Sequence, residues 1–589
     1  MEAALAGLTQ ISVPAILPES FQLDGVSGNL TVQISLPETG PTDPQVEYTY
    51  SSRAAGQGIY VGNGWADLYN PTVSATSSTA ALLIKGRGEL YPYTGKDGSG
   101  KYLPPTVVQN SLVQNGDGTW TETQPDSAKF VYDTNGNLAR LVSPAGGRWT
   151  VVRSSGYMVA LAGPYSRRTT FAYNVSNKLK RVQDAGGRIT TFTVNGTGDL
   201  QRVTWPDTTI TTYLYDSLHL LKTYIPPSGH RTTFAFSNNY TPTVIQPPTG
   251  GRYTYSLDGT TNSVVEPNGA RTTLVLDSNR NLKARIDAQG NRTTFVWNGS
   301  QVLTAVVDPK SQRTTVGFSS LGTRVSSRQA IKDPLGSRYT YSYDSNDRVK
   351  AVLNPSAART TLLWNSNGQR SAVIDSLGNR TTTLYNGDGQ ILAVVTPLGQ
   401  RTTNVFDGQA QLAAVINPLG NRETYTYDTY AQLKTVKNPV GAVTTFVRDV
   451  MGRVKAAVNP LGYRTTNVYD SDGDLVATIN PLGNRTSMLH DGAGHVKATI
   501  NPLGNRTTFS HDTRGNQIRH TNPLGKIWTS VYDNLNRVIA QIDPLLNRMT
   551  YGYDTVGNQV KVKNPLGKIT TTVFDAWNRP IASIRAHFT

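Results

Sequence analysis

The sequence predicts an all-β protein, an array of about 22 antiparallel β-hairpins joined into one continuous coiled β-ribbon. The ribbon would form a partial shell, a tube or a barrel-like spiral. A 21-residue phrase recurs without a slip through the C-terminal half of the chain. Each phrase contains two short runs of β-favouring residues, separated by turn-forming segments. The phrase opens at Asn354, Asp375, Thr396, Asn417, Asn438, Asn459, Asn480, Asn501, Asn522, Asp543 and Asn564.

One unit, Asn417–Lys437, shows how the hairpin is encoded. We number its repeat positions from 0 at Asn417 to 20 at Lys437. Positions 0–4 (Asn-Pro-Leu-Gly-Asn) form a turn, because proline presets one φ angle and glycine and asparagine tolerate positive φ. Positions 5–10 form the first strand, positions 11–15 the second turn and positions 16–20 the second strand.

Side-chain alternation predicts the two faces of the ribbon. Aromatic residues at positions 8 and 10 and apolar residues at 16, 18 and 20 should share one face. Positions 7, 9, 17 and 19 favour Thr, Asn and Lys and should lie on the other. We expect position 10 to pair with 16, position 8 with 18 and position 6 with 20.

A Tyr-Asp pair ends the first strand in many units. The aspartate can accept hydrogen bonds from the following turn amides, so we interpret it as a turn former and not as a catalytic carboxylate. The pairs are Tyr132-Asp133, Tyr215-Asp216, Tyr343-Asp344, Tyr427-Asp428, Tyr469-Asp470, Tyr532-Asp533 and Tyr553-Asp554.

These pairs, the glycine near the second turn and the Asn/Asp-Pro-Leu-Gly turns resemble the YD-repeat or RHS-repeat family. That family includes bacterial polymorphic toxins, shell subunits of insecticidal toxin complexes and teneurins. The resemblance covers about four-fifths of the chain and implies a hollow shell of hairpins. In family members that cleave themselves, an Asp-Pro-x-Gly core acts; here Asp333–Gly336 is a repeat turn and Asp543–Leu546 lacks the glycine. We therefore expect no catalytic residue and no enzyme.

The array should begin near Gln124, giving an all-β lead-in or cap at residues 1–123 and the repeats at residues 124–589. The early units keep nearly the same spacing as the later ones, except that Asp308 and Asp333 lie further apart than one period. The additional residues around Ser319–Gln329 should lengthen one hairpin.

Composition restricts the function classes. The absence of cysteine excludes disulfides and zinc–thiolate sites, and no apolar run is long enough for a transmembrane helix. Met1–Leu17 is not a convincing signal peptide. The net charge is +16, and much of the arginine lies at position 5, on an outward rim. We expect a solvated rim, with binding to an anionic surface or an acidic partner as the alternative, and no nucleic acid is expected. The rim residues are Arg401, Arg422, Arg464, Arg485, Arg506 and Arg548.

Two histidines interrupt the aromatic pattern. His490 and His511 both occupy position 10, in consecutive units, and an aspartate follows each. Adjacent hairpins could bring them together as a divalent-metal pair, although filling an aromatic position is the simpler interpretation. We expect neither a resident metal nor a cofactor.

Three functions remain open. The first is a structural shell or scaffold segment of a secreted or cell-surface bacterial RHS-type protein, encasing or displaying a toxin or effector domain or joining a further RHS segment. The second is a surface adhesin that binds glycans. The third is a self-associating fibre or tube that uses an uncapped C-terminal edge. Rolled into a closed sphere, the ribbon is too small for a folded domain of about 100 residues.

Overall fold

The computed structural model describes residues 21–585 except 25, 38–44, 56, 87, 88, 106, 107, 109, 145, 258, 322, 323, 347 and 577. Met1–Leu17, considered above as a signal peptide, lies outside the described residues. The lead-in contains β1 Phe21–Leu23, β2 Leu30–Ser35, β3 Glu47–Ser51, β4 Gly58–Ile59, β5 Gly62–Asn63, β6 Trp65–Asp67, β7 Thr72–Ala75, β8 Ala80–Ile84 and β9 Leu90–Thr94, with 3-10 turns at Ser52–Ala54 and, later, Pro164–Ser166.

The remaining strands form the array. Its first part is β10 Ser111–Gln114, β11 Trp120–Thr123, β12 Lys129–Tyr132, β13 Leu138–Val142, β14 Arg148–Ser154, β15 Tyr157–Ala162, β16 Arg168–Tyr173, β17 Leu179–Gln183, β18 Ile189–Val194, β19 Leu200–Thr204, β20 Ile210–Tyr215, β21 Leu221–Ile225, β22 Thr232–Phe236, β23 Pro242–Gln246, β24 Tyr253–Ser256, β25 Thr261–Val265, β26 Arg271–Leu276, β27 Leu282–Ile286, β28 Arg292–Trp297, β29 Leu303–Val307, β30 Arg313–Leu321 and β31 Arg324–Lys332. Its second part is β32 Arg338–Tyr343, β33 Val349–Leu353, β34 Arg359–Trp364, β35 Arg370–Ile374, β36 Arg380–Tyr385, β37 Ile391–Val395, β38 Arg401–Phe406, β39 Leu412–Ile416, β40 Arg422–Tyr427, β41 Leu433–Lys437, β42 Val443–Arg448, β43 Val454–Val458, β44 Arg464–Tyr469, β45 Leu475–Ile479, β46 Arg485–His490, β47 Val496–Ile500, β48 Arg506–His511, β49 Gln517–Thr521, β50 Ile527–Tyr532, β51 Val538–Ile542, β52 Arg548–Tyr553, β53 Gln559–Lys563, β54 Ile569–Phe574 and β55 Pro580–Arg585.

The array is one open antiparallel sheet. Its 46 strands, β10 to β55, follow each other in sequence order, and in the described part of the chain β10 and β55 do not pair with each other. The predicted all-β class and hairpin ribbon are confirmed, and the strands from β12 onwards form the predicted 22 hairpins. The lengthened hairpin is confirmed as well, because β30 and β31 have 9 residues each. β10 and β11 add one hairpin before Gln124.

The predicted register is wrong for part of most hairpins. Position 10 pairs with position 16, as expected, in Tyr427 with Leu433. A β-bulge then shifts the ladder, so that position 8 pairs with 19 and not with 18, as Tyr425 with Val436 shows. The bulge inserts one unpaired residue at position 17, Lys434. Positions 8, 10, 16 and 19 therefore share one face, and 7, 9, 18 and 20 share the other.

The bulge also explains the alanines at position 18. Ala414 pairs with Val405 of the preceding strand and Thr424 of the following strand, and it is 0% exposed. Its larger neighbours cover it, although it faces away from the main core. The predicted grouping of position 18 with the aromatic residues is thus wrong, because most hairpins contain one inserted residue.

The ribbon winds into a coil whose successive turns touch. The backbone amide of Ser228 donates to Asp472 Oδ1 at 2.7 Å, across 244 residues. The same separation joins Gln289 to Asp533 and Lys310 to Asp554. In each contact, a loop at positions 0–4 of the first turn meets a loop at positions 11–15 of the second. One turn of the coil therefore takes 244 residues.

Residues 21–105, which we call the cap domain, pack on the face that carries positions 8, 10, 16 and 19. The ring centroids of Tyr48 and Phe192 lie 5.5 Å apart, and those of Phe21 and Phe234 lie 5.7 Å apart. Cap contacts extend along the first turn from Gly136, whose carbonyl accepts from Val73, to Arg280, which donates to Val26 O at 2.7 Å. One small domain can touch so long an arc only from inside, so this face is the concave one.

Most of the hydrophobic core lies where the cap domain meets the first turn. Fully buried tyrosines and leucines of the cap and of the early strands form one cluster that ends at Phe295. None of the helical segments in the described residues is long and apolar enough to cross a lipid bilayer.

Candidate functional site

The Tyr-Asp pair ties one hairpin to the one before it. Tyr427 Oη donates to the carbonyl of Leu412 at 2.9 Å, fifteen residues earlier. Asp428 Oδ1 accepts the backbone amides of Tyr430 and Gln432 at 2.9 and 3.0 Å. The tyrosine therefore links neighbouring repeats, and the aspartate closes the turn within its own repeat.

The same tyrosine bond recurs along the coil. Tyr469, Tyr532 and Tyr553 each donate to the carbonyl fifteen residues earlier, at 2.8 to 3.1 Å. A tryptophan indole replaces the phenol at Trp297 and Trp364. A donor at the tip of a flat ring, and not a phenol as such, makes this bond.

Two of the predicted tyrosines have other partners. Tyr132 is fully buried and donates to Glu122 Oε2 at 3.0 Å, and burial raises its pKa. Tyr215 accepts from Trp65 Nε1 of the cap domain at 3.0 Å. Tyr343 pairs with Val349 across its hairpin, as Tyr427 pairs with Leu433.

The predicted aspartates all lie in the β-turn between the two strands of their hairpin. Each accepts the amides two and four residues later, as Asp428 does; the others are Asp133, Asp216, Asp344, Asp470, Asp533 and Asp554.

Position 15 carries a function that the sequence analysis missed. Arg453 Nε donates to Asp449 Oδ2 at 2.6 Å, and the guanidinium lies 5.2 Å from the ring centre of Tyr469 in the next repeat. Arg537 lies over Tyr553 in the same way, at 4.6 Å. This cation bridges a carboxylate and an aromatic ring, and so joins consecutive repeats. The signal was present as arginine four residues after the turn aspartate.

The six predicted rim arginines are exposed at the entrances of their strands. Arg401 Nε and Arg485 Nε donate to a hydroxyl two residues later, at 3.1 and 3.0 Å. The same loops carry a second feature that was missed, an exposed apolar side chain at position 2. We call this row the leucine rim; its members are 77 to 87% exposed and comprise Leu377, Leu398, Leu419, Val440, Leu461, Leu482, Leu503, Leu524, Leu545 and Leu566.

His490 and His511 are not brought together as one pair. His490 lies beside Asp470 and Asp474 of the preceding repeat, whereas His511 lies beside Asp491 and His495. In each cluster the three ligand atoms lie within 4.8 Å of one another. The two clusters occupy equivalent positions in consecutive repeats, about two strand spacings apart.

The electrostatics of the two clusters differ. Burial and the neighbouring carboxylate of Asp470 raise the pKa of Asp474. Burial and the adjacent His495 lower the pKa of His511, whose ring stacks on His495 with centroids 4.7 Å apart. His490 Nδ1 is buried and has no hydrogen-bond partner in the described part of the chain.

The His490 cluster borders a cleft between the two turns of the coil. The cleft has a volume of about 960 Å³, and Asp470, Asp474 and His490 all line it. Ser228 and His230 of the first turn line the opposite side.

Comparison with known proteins agrees with the repeat geometry. Residues 490–527, which include His511 and the Asn522 turn, match the RHS_repeat family model, described as RHS Repeat. These residues therefore carry an RHS repeat. No curated protein sequence matches it.

Among solved structures, the chain is similar to a chain of the TcdB2-TccC3-Cdc42 crystal structure, at 13% identity with a TM-score of 0.45, covering 99% of this chain and 34% of that one. It is also similar to a chain of the Tc holotoxin pore of Photorhabdus luminescens, at 11% identity with a TM-score of 0.39, covering 95% of this chain and 34% of that one. The chain thus spans about a third of the length of these solved chains.

Proposed function

We propose that the chain is a non-enzymatic shell segment of a secreted or cell-surface bacterial RHS protein, and that its second turn surrounds a small effector domain or segment. The single observation that carries this proposal is the unequal filling of the coil. The cap domain fills the first turn, whereas the buried core cluster does not extend into the second. The concave face of the second turn carries half-buried aromatic side chains.

The inner diameter of the coil, which we call the bore, limits the size of the domain or segment that it can surround. With one turn of 244 residues and two strands per 21 residues, the circumference is roughly 110 Å at about 4.8 Å per strand. The backbone diameter is then roughly 35 Å, and side chains narrow the bore to roughly 25 Å. A second turn of this width accepts an extended segment or a domain no larger than the cap.

The wall of the second turn suits an apolar guest. His520 lies between Phe509 and Trp528 in a stack, with centroid separations of 5.7 and 4.7 Å. Trp528 remains 36% exposed, so one ring face is available to a ligand. Aromatic faces of this kind gain contact area without a large loss of side-chain entropy.

The absence of cysteine makes a direct test simple. Phe509→Cys places a thiol on the concave face, and Ser510→Cys places one next to it on the convex face. We expect a small maleimide to label both and a reagent wider than roughly 25 Å to label only residue 510. Equal labelling by every reagent would contradict a bore, and failure of the small reagent at residue 509 would show that the bore is filled. Electron microscopy should show a short cylinder filled at one end.

The leucine rim favours a second candidate function, self-association. In the first turn, position 2 is polar where the second turn covers it, as at Ser228 and Gln289. In the second turn the same position is apolar and exposed. Ten such side chains offer roughly 500–1,000 Å² of apolar surface, which approaches the roughly 800 Å² that each partner contributes to a stable interface.

The charge of the rim sets the conditions for association. Positions 0–5 of the repeats from Asn354 onwards carry ten basic and two acidic residues. Two rims facing each other therefore repel, and salt should strengthen their association by screening. The basic residues are Arg359, Arg380, Arg401, Arg422, Arg464, Arg485, Arg506, Lys526, Arg548 and Lys568, and the acidic residues are Asp375 and Asp543.

Light scattering at rising salt tests the rim. We expect the protein to associate as salt increases, and a variant with Leu461, Leu482 and Leu503 all changed to Gln to remain monomeric. Val175→Gln is the control, since Val175 is fully exposed but lies on the opposite edge. A wild type that is monomeric at every salt concentration would remove this candidate.

A further inference from the structure

The two histidine clusters lie where some other repeats carry a cation from their own sequence. In the repeat before them, Arg453 lies between the Asp449 carboxylate and the Tyr469 ring. In the next repeat, the three equivalent positions are Asp470, Asp474 and His490. The turn carboxylate is retained, but the guanidinium is gone and a ligating nitrogen stands where the ring was.

The following repeat shows the same exchange with a different donor set. There the three positions are Asp491, His495 and His511. His495 Nδ1 lies 3.3 Å from Asp491 Oδ2, which is at the far limit of a hydrogen bond. Two imidazoles and one carboxylate therefore converge without an arginine or a lysine in the cluster.

We propose that each cluster binds one divalent transition-metal cation, with Zn²⁺ as the probe, in the place that an arginine guanidinium occupies in other repeats. The donor types fit, since imidazole nitrogen and carboxylate oxygen are both zinc ligands. Zinc bonds of about 2.0–2.2 Å require ligand atoms roughly 3.5 Å apart in a tetrahedron. In each cluster the ligand atoms lie within 4.8 Å of one another, and small side-chain rotations would bring them to that separation.

Two observations besides the donor set point to a ligand. His490 Nδ1 is buried without a partner in the described part of the chain, and an unpaired buried ring nitrogen carries a desolvation cost that a metal bond would remove. All three ligands of this cluster also border the cleft of about 960 Å³ between the turns. That cleft has room for solvent molecules to complete the coordination shell.

The two sites should differ in affinity. The Asp491 cluster has two nitrogen donors and the Asp470 cluster has one. Since nitrogen donors favour Zn²⁺ over hard cations such as Mg²⁺, the Asp491 cluster should be the tighter and more selective zinc site. Each metal would join consecutive repeats, as Arg453 does.

The chain itself suggests the matched variants. Asp474→Arg with His490→Tyr, and His495→Arg with His511→Tyr, each restore the Asp–Arg–Tyr set of the Asp449 repeat. These variants should remain folded because they copy a neighbouring repeat of the same protein. His520→Gln is the control, because His520 stacks on Trp528 outside both clusters.

Isothermal titration of the untagged full-length protein with Zn²⁺ should give two equivalents for the wild type and for His520→Gln. Each double variant should bind one equivalent, and the combined variant none. Co²⁺ should produce visible d–d absorption in the wild type that falls with each double variant. A wild type that binds no Zn²⁺, or a combined variant that binds as the wild type does, would overturn the proposal.

Discussion

Tyr427 Oη lies 2.9 Å from the carbonyl oxygen of Leu412, and this bond joins one hairpin to the strand fifteen residues before it. The phenol is partly shielded, so removing it leaves a carbonyl with a missing partner inside the sheet edge. Tyr427→Phe keeps the ring and should cost about 1 kcal/mol.

Because each repeat contacts mainly its neighbours, this loss should stay local. Hydrogen exchange should show faster opening of β39 and β40 and unchanged protection in distant strands. Tyr463→Phe is the control, since Tyr463 is 56% exposed in a rim loop. Equal effects of the two changes would show that the bond contributes nothing.

Substitution of Asp428 tests the aspartate of the Tyr427-Asp428 pair. Asp428→Ala removes the acceptor of two turn amides and should cost about 1–2 kcal/mol, whereas Asp428→Asn should cost much less. The chain already contains this replacement, because Asn386 Oδ1 accepts the amides of Asp388 and Gln390 at 3.0 and 2.9 Å. Urea unfolding of the two variants compares them directly. If Asn were as costly as Ala, the carboxylate charge and not the acceptor geometry would be what the turn needs.

The strand pattern followed from local sequence, because turn chemistry and alternation decide where strands begin and end. The register at position 18 did not follow from local sequence. The bulge at Lys434 depends on the conformation of the β-turn at positions 11–15, where Ala431 is left-handed with a φ of 61°. Single-strand alternation does not contain that information.

The contacts between successive turns of the coil could not be predicted from the 21-residue period. The contact between Ser228 and Asp472 depends on how strand twist accumulates over a full turn of the coil, and a constant repeat length is compatible with many pitches. His490 and His511 were separated for a related reason. Position 10 leans over the preceding repeat, so each histidine meets Asp470 or Asp491 before it and not its own counterpart.

Asp67 gives the cap domain a pH dependence. Burial raises its pKa to about 7, against the opposing effects of the Tyr69 amide and of Arg153. The folded protein then holds a proton that the unfolded chain releases near 3.8. The stability that this proton contributes should therefore be fully present below pH 3.8. It should fall by up to about 1.4 kcal/mol per pH unit as the pH rises from there to about 7.

Asp67→Asn removes this titration while keeping the size of the side chain. Melting temperatures measured from pH 4 to pH 8 should fall less with pH for the variant than for the wild type. Asp126→Asn, at an exposed turn, should follow the wild type. Parallel curves for wild type and Asp67→Asn would show that Asp67 does not titrate in this range.

Lys310 and Asp554 test the contact between turns. Lys310 Nζ lies 2.7 Å from Asp554 Oδ2, with side chains 26% and 16% exposed. A pair at this depth should contribute about 1 kcal/mol. Lys310→Met should loosen the loops of both turns, seen as faster hydrogen exchange at residues 308–312 and 554–558. Lys310→Arg should retain most of the protection, and a change confined to the first-turn loop would mean that the pair does not hold the turns together.

Substitution of Gly136 tests the contact that holds the cap domain inside the first turn of the coil. Its φ is +78, and a Cβ there would collide with the carbonyl oxygen of Val73. Gly420 has almost the same φ, +81, with open space around it. Gly420→Ala should therefore cost only the backbone strain, about 1 kcal/mol. Gly136→Ala adds the collision and the loss of the bond from Val73 N to Gly136 O, and should partly release the cap. Limited proteolysis should then cut the cap domain faster in Gly136→Ala than in Gly420→Ala, and equal rates would mean that the Val73 contact does not hold the cap.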